Sequence, residues 1–428
     1  MKNILRASVA HTAIALLQFA AVAPGIASAA TKQSPAPASS KFSQQRLHRI
    51  DEVLDRYVQE QRIAGAVLLV LRDGTPIYQR AAGWSDREAQ RPMQMNTIFR
   101  IASQTKALTS VVALSLAEEG KLSVGNEVSQ YIPTFANTTV AVSEGDKVAI
   151  VPAKRPIRLH DLLTHTAGIS YGTQPSVARL YEEKQLGPAA GHGWYLADKD
   201  EPVCDSMTRL GTLPFITQPG ETFIYGYNID IVGCIAERAS GIPLDELIRK
   251  RITEPLHLTD TQFFLPPGQR DRLATVYAST DGKAVRAAEG AKGQGHYIDG
   301  PRRDFAGGAG LLSTAQDYAR FLEMIRNDGM LDGVRILSPR SVALMHTNLI
   351  GSRYAQDGLG FGYGFETVEK YGAKGMESAG SYGWGGAYGS TYFVDPQERL
   401  VAVFMIQLMP NDTDIREKIT TLIYQALE

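Results

Sequence analysis

From Ala107 to Ala117 the chain reads Ala-Leu-Thr-Ser-Val-Val-Ala-Leu-Ser-Leu-Ala, a run with no charged face at helical spacing. A helix that is apolar nearly all round is stable only when other elements enclose it. The rest of the chain must therefore be built around this segment, predicted as a helix over 103–119 with Gly120 as its stop. Its entry is Phe99-Arg100-Ile101-Ala102-Ser103-Gln104-Thr105-Lys106. At i, i+3 spacing Ser103 and Lys106 share a face and can meet. Ser103 then sits at the helix N-terminus, where partial positive charge favours a developing anion. Lys106 sits where an ammonium is poorly solvated and the neutral amine can serve as a base, so a serine can be activated without a histidine.

A serine and a lysine at this spacing arise by chance about once in a chain of this length, so the pair needs partners. One is Phe223-Ile224-Tyr225-Gly226-Tyr227-Asn228-Ile229, a glycine-flexed turn leading into an apolar helix. It can present the Tyr225 phenol to a cleft, and a phenol beside a lysine can relay a proton between nucleophile and leaving group. The plain alternative is aromatic packing, the usual fate of a tyrosine. Another is Ser381-Tyr382-Gly383-Trp384-Gly385-Gly386-Ala387-Tyr388-Gly389. Glycines at this density let backbone approach a ligand closely, and a free N–H there can donate to an oxyanion. The alternative is a strand edge or bulge that needs glycine for geometry alone.

Hydrophobic periodicity supplies the frame. Strands are predicted over 66–71 and 76–82, joined through Asp73-Gly74, and over 390–394 and 400–407. Amphipathic helices are predicted over 46–62 and 414–427, and a capped helix runs from Ser313 or Thr314 to about Arg326. Between about 124 and 300 lie loops and short helices, at 159–164, 177–184 and 229–239. The fold class is α+β: an antiparallel sheet made from both ends of the chain and flanked by the terminal helices, with a mainly helical lobe inserted. The α/β lobe takes 46–123 and 301–428 and the helical lobe 124–300.

Lys2 and Arg6, an apolar stretch over 7–22 and Ala27-Ser28-Ala29 form the pattern of a signal peptide, 1–29. That stretch is shorter than the roughly 20 apolar residues needed to span a bilayer. A flexible leader (30–45) follows, and the catalytic domain occupies 46–428. The expected location is the periplasm or the exterior. With 44 basic and 45 acidic residues the net charge is −1, which speaks against nucleic acid or an anionic membrane as partner. The expected partner is a small molecule; oligomeric state stays open. Cys204 and Cys234 can pair in an oxidising compartment or remain two core cysteines. No His or Cys spacing suggests a metal, and no cofactor is expected.

Taken together, these elements resemble the serine β-lactamase and penicillin-binding-protein superfamily, in its class C-like branch, over about 46–428. That branch includes family VIII carboxylesterases, D-alanyl-D-alanine peptidases and acyltransferases. Leu162-Leu163-Thr164-His165-Thr166-Ala167-Gly168, the run 307–314 (Gly-Gly-Ala-Gly-Leu-Leu-Ser-Thr) and Val394-Asp395-Pro396 also resemble it. Superfamily members carry S-x-x-K with a serine nucleophile, and K-T-G. Here Tyr225-Gly226-Tyr227 stands where class C β-lactamases have Y-x-N, and Trp384-Gly385-Gly386 where they have K-T-G. Losing that lysine removes a partner for a substrate carboxylate. Family VIII esterases and related transesterases look like this. The resemblance implies a serine carboxylesterase: Ser103 as nucleophile, Lys106 and Tyr225 as acid and base, and the N–H groups of Ser103 and Ala387 as oxyanion hole. Tyr227, Trp384, Gly385, Gly386 and Tyr388, with Tyr171 and Tyr382 nearby, are expected to line an aromatic substrate site. The alternatives are a β-lactamase or D-stereospecific peptidase or amidase with the same nucleophile, an acyltransferase, and a non-catalytic penicillin-binding receptor.

Gly168-Ile169-Ser170-Tyr171-Gly172 matches the G-x-S-x-G elbow of α/β-hydrolases, but that motif needs a strand before it and a helix straight after. Neither is predicted, so Ser170 is set aside. His165 and His160 are triad temptations; His165 is expected to fix a loop. His192 and His296 lie in glycine-rich loops with no identifiable role, and Lys370-Tyr371-Gly372 is read as a coincidental K-x-G.

Overall fold

The two strands at the middle of the main sheet are apolar on both faces, and this fixes the layering. The computed structural model describes residues 41–144, 147–187, 196, 198–288, 295, 297–354 and 356–428; the expected signal peptide and leader to residue 40 lie outside them. Lys41–Glu428 forms a single unit. Its main sheet has eight strands: β1 (Gly65–Arg72), β2 (Thr75–Asp86), β3 (Arg91–Pro92), β4 (Leu359–Phe361), β5 (Glu366–Val368), β6 (Tyr382–Gly385), β7 (Thr391–Asp395) and β8 (Leu400–Met405). They lie in the order β4-β5-β6-β7-β8-β1-β2-β3, and every neighbouring pair is antiparallel. The two ends of the chain meet at β1 and β8, with Val67 opposite Met405 and Leu71 opposite Val401.

Side chains alternate across a strand. Val67, Leu69 and Leu71 of β1, with Val401, Val403 and Met405 of β8, therefore enter one core. Ala66, Leu68, Val70, Leu400, Ala402 and Phe404 enter the other. Fully burying a Val, Leu or Phe contributes about 1.5–3 kcal/mol, so both faces need cover. The β1–β2 register is set by Asp73 and Gly74, both at positive φ (49° and 74°), the requirement of a tight two-residue hairpin turn.

The second core is closed by the terminal helices. Helix α1 (Gln44–Gln59) begins at Ser43, whose hydroxyl accepts from the Arg46 N–H at 3.3 Å, and buries Leu47, Ile50, Leu54 and Tyr57. The first core lies under α2 (Thr105–Glu118), α3 (Asn228–Ser240) and α4 (Ala315–Arg326), the last capped by Thr314, which accepts from the Asp317 N–H at 3.2 Å. Helix α5 (Ile415–Tyr424) supplies Ile415, Ile419 and Ile423 to the second core. All residues of α2 from Thr105 to Leu116 are buried, as its sequence requires. Of its polar side chains, Thr109 donates to the Gly307 carbonyl at 2.8 Å and Ser115 to the Val112 carbonyl at 2.8 Å, while the Ser110 hydroxyl is buried without a partner.

Two features differ from the sequence expectation, and one that it left open is resolved. Helix α2 starts at Thr105, after a 3-10 turn over Ala102–Gln104, so Ser103 lies in a tight turn before the helix. The region expected to hold only loops and short helices also contains hairpins, Thr139–Glu144 with Lys147–Pro152 and Tyr277–Thr280 with Lys283–Arg286. Val148 and Ile150 there are exposed, and the run Val148-Ala149-Ile150-Val151, rich in β-branched residues, was the available signal. Cys204 and Cys234, whose pairing the sequence left open, are disulfide-bonded, tying Val203–Leu210 to α3.

Candidate active site

The strand Phe99–Arg100 pairs with Leu312–Ser313, and the chain then turns sharply at Ala102, whose φ is +46°. A side chain other than glycine in the left-handed region costs about 1–3 kcal/mol and persists only when its surroundings over-determine it. They do so here. The Ile101 N–H donates to Leu311 at 3.1 Å, the Arg100 N–H to the Gln407 side chain at 3.1 Å, and Gln407 donates back to the Arg100 carbonyl at 3.1 Å. The turn delivers Ser103 to a cavity of about 810 Å³.

Lys106, itself buried, gathers three oxygens: Ser103 Oγ at 3.2 Å, Tyr171 Oη at 3.2 Å and the Gly308 carbonyl at 2.7 Å. An ammonium donates to all three. A neutral amine donates to Gly308 and Tyr171 and accepts the Ser103 hydroxyl proton, so the same geometry serves both protonation states. Behind it, Asp230 Oδ1 accepts the Gly308 N–H at 2.9 Å. One residue, Gly308, thus bridges a buried carboxylate and the lysine through its own N–H and C=O, and a Cβ at Gly308 would meet Asp230 Oδ2 at 2.3 Å. Burial pushes the Asp230 carboxyl up from the usual 3.8 to about 6, against the pull of Lys106 and the Gly308 N–H. The folded form holds this proton more tightly than the unfolded chain. The stabilisation is full below pH 3.8 and is lost as pH rises through about 6. Asp230→Asn removes this dependence. The variant's stability relative to wild type should therefore rise between pH 4 and pH 7, by about 3 kcal/mol at most. Urea unfolding at both pH values checks this; parallel pH profiles would contradict it.

Tyr225 is half-buried at the cavity wall, and Lys106 Nζ lies 4.6 Å from its ring centroid. The Trp384 indole N–H donates to Tyr225 Oη at 3.1 Å, which leaves the phenol proton free to point elsewhere. Tyr171 also lines the cavity, its ring edge-on to Tyr225 with centroids 5.8 Å apart, and burial pushes its phenol well up, keeping it neutral. His165 is buried against Tyr225, ring centroids 4.7 Å apart, and its Nδ1 lies 3.0 Å from Asn228 Nδ2. Burial, then Lys106, holds this imidazole well below its usual range. It supports Tyr225 and forms no bond with Ser103 among the described residues. Gly226 makes the turn possible, because a Cβ there would lie 2.3 Å from the Ile169 carbonyl.

The cavity wall continues from Tyr225 through Trp384, Gly385, Gly386 and Ala387. A Cβ on Gly386 would lie 2.6 Å from the Ile101 carbonyl, so this segment presses directly on the nucleophile turn. Arg416 of α5 holds it there, donating to the Gly389 carbonyl at 2.7 Å and the Gly386 carbonyl at 3.0 Å. Among the described residues, neither the Ser103 nor the Ala387 N–H has a hydrogen-bond acceptor within the protein.

Three expected substrate contacts are not brought to the cavity: Tyr382 is buried with its ring stacked on His346, centroids 4.6 Å apart, and Tyr227 and Tyr388 also turn away. Tyr227 is fully buried, its hydroxyl accepting from the Gly187 N–H at 3.2 Å. Tyr388 is packed on Ala102 and Val276 behind the nucleophile turn. Ser170 is buried and accepts from the Gly172 N–H at 3.0 Å, so the elbow-like motif contributes its neighbour Tyr171 instead. His160 binds the Tyr363 hydroxyl at 2.7 Å, and His192 and His296 lie outside the described residues. Among those residues no group of three or more His, Cys, Asp or Glu could hold a metal, and no helix is long and apolar enough to cross a membrane. Sequence reasoning missed Asp230, Arg416 and the ionic groups Glu366, Lys374 and Glu377 of the cavity. Only Asp230 carried a signal, as a lone acid in an apolar helix.

Residues 50–426 match the model of the Beta-lactamase family. The chain is similar to Esterase EstB of Burkholderia gladioli, 32% identical over 361 residues covering 81% of this chain and 86% of that protein. It is similar to Lovastatin esterase of Penicillium rubens, 30% identical over 397 residues, 86% of this chain and 94% of that protein. Among solved structures, EstCE1, a hydrolase with promiscuous acyltransferase activity, superimposes with a TM-score of 0.73 at 28% identity, covering 89% of this chain and 98% of its own. The chain belongs to the Beta-lactamase family, in its serine hydrolase and transesterase range.

Proposed function

We propose that this member of the Beta-lactamase family is an exported serine carboxylesterase that works through an acyl-enzyme at Ser103. The observation that carries the reading is the wall facing Ser103. Tyr171, Tyr225 and Trp384 surround the nucleophile, and β6 offers an indole where a lysine would hold a substrate carboxylate. Lys374 does reach the cavity, but Glu366 neutralises it at 2.6 Å. Relatives named as esterases support the same reading. The Cys204–Cys234 disulfide suits an oxidising compartment.

Ser103 Oγ attacks the ester carbonyl as its proton passes to Lys106 Nζ. The developing oxyanion takes the N–H groups of Ser103 and Ala387; one such donor is typically worth about 10²–10³ in rate. Lys106 and the adjacent Tyr225 hydroxyl return the proton to the alkoxide as the carbon–oxygen bond breaks. Water then attacks the acyl-serine, and the same groups carry its proton back to Ser103. Replacing water by an alcohol gives acyl transfer with no other change.

One observation favours a second reading, a β-lactamase or D-stereospecific peptidase. Arg416 lines the cavity and has no carboxylate within ion-pair distance among the described residues, so it offers charge to an anionic substrate. Steady-state turnover of p-nitrophenyl butyrate beside nitrocefin separates the two. We expect kcat/KM to favour the ester by at least about 10²-fold, the loss that an unmatched charged substrate group brings. A preference for nitrocefin would reverse the assignment.

A further inference from the structure

The cavity is larger than a short ester needs, and its far arm differs in character from the aromatic end. Strands β5 and β6 pair only at Glu366–Gly383 and Thr367–Tyr382. The edge of β6 beyond Trp384 is therefore open, and the cavity passes around it towards α5. Glu366, Lys374, Glu377 and Arg416 line that arm. Both Glu366 oxygens are engaged, one by Lys374 at 2.6 Å and the other by the Tyr354 hydroxyl at 2.5 Å. Arg416 is engaged by carbonyls, as described above. Glu377 is different: it is only 4% exposed, and its Oε2 is buried with no hydrogen-bond partner. A buried acceptor left unmatched costs about 1–3 kcal/mol, and Glu377 lines the cavity, so a rotation of its carboxyl to meet a ligand donor in the arm would recover that bond.

The arm lies on the Tyr225 side. The Tyr354 ring, whose hydroxyl holds Glu366, packs on Phe223 with centroids 4.8 Å apart, and Phe223 stacks on Tyr225 at 6.4 Å. Tyr225 is the residue that hands a proton to the leaving oxygen, so the alcohol portion of the ester points into this arm. Lys374 and Arg416 there would repel an ammonium. Burial pushes Glu377 up to about 7, so both of its protonation states are populated near neutrality. A hydroxyl can pair with either, since it both donates and accepts.

Resting on the esterase reading, we propose that this arm receives the alcohol portion of the substrate and that Glu377 binds a second hydroxyl on it. The preferred substrates are then partial esters of polyols. The test compares kcat/KM for glycerol 1-monobutyrate with that for 2-methylbutyl butyrate, which has the same shape with methyls in place of both hydroxyls. The ratio within one preparation is independent of how much enzyme is active. Glu377→Leu should lower the ratio about tenfold, the worth of one hydrogen bond to a partly charged group. Glu377→Gln, which keeps an acceptor, should preserve most of it and serves if the leucine variant does not fold. A ratio that moves by less than about threefold in Glu377→Leu, or that falls as far in Glu377→Gln, overturns the subsite and leaves the esterase reading standing. Failure of wild type to turn over either ester, or p-nitrophenyl butyrate, overturns both.

Discussion

Ser103→Ala will lower ester turnover by about 10⁴–10⁶-fold, with residual rate from the remaining oxyanion donors and binding alone. The size of the effect follows from the structure around the residue. The strained Ala102 turn, fixed by Leu311 and Gln407, exists to bring this one hydroxyl to the cavity. No other described serine combines a lysine at 3.2 Å with exposure to that space. Removing one oxygen from a site already 9% exposed leaves stability nearly unchanged, because Lys106 keeps Gly308 and Tyr171 as partners. A melting temperature equal to wild type, together with lost turnover, checks the assignment. Retained turnover would move the nucleophile elsewhere.

Lys106→Arg will lower kcat by about 10³–10⁴-fold, the upper range for a general base. This substitution separates two roles that an alanine variant would merge. A guanidinium keeps the positive charge beside Ser103, and therefore any electrostatic support for the oxyanion, but it does not surrender a proton in a protein. If Lys106 worked by charge alone, the arginine variant would keep a substantial fraction of activity. The contacts point to proton transfer: with Gly308 and Tyr171 as fixed acceptors, the third position on Nζ faces Ser103 Oγ. Arginine is longer than lysine, so circular dichroism and a melting curve should accompany the kinetics. A correctly folded, inactive variant is the expected result.

The chemistry that is local in sequence was legible before the structure. Ser103 and Lys106 needed only helical spacing to meet, and the 3-10 turn that displaces the helix start by two residues leaves their proximity intact. Tyr225 and Trp384 were legible as motif residues, though their mutual hydrogen bond was not. The sheet was legible at its centre, where β1 and β8 carry continuous apolar runs. It was poorly legible at β4 and β5, three-residue strands whose pairing depends on neighbours far along the chain.

Tyr227 and Tyr388 show why proximity to a motif does not place a residue in the site. Tyr227 follows Tyr225 by two positions, but the chain is already turning into α3, which sends its ring into the core. Tyr388 lies beyond the end of β6, where the chain bends behind Ala102. Glu377 and Arg416 escaped notice for the opposite reason. Each lies on a segment with no motif and reaches the cavity only because β6 ends in an open edge facing α5. Asp230 is intermediate: an acid in an apolar helix is conspicuous, but its partner Gly308 is 78 residues away.

The most direct test of the central claim is to quench a reaction with p-nitrophenyl butyrate in acid, digest the protein and weigh its peptides by mass spectrometry. A single butyryl group on the peptide containing Ser103, formed before steady state and missing in Ser103→Ala, is the predicted result. A butyryl group on another residue, or steady ester turnover with no acylated peptide at any time, would contradict an acyl-enzyme at Ser103.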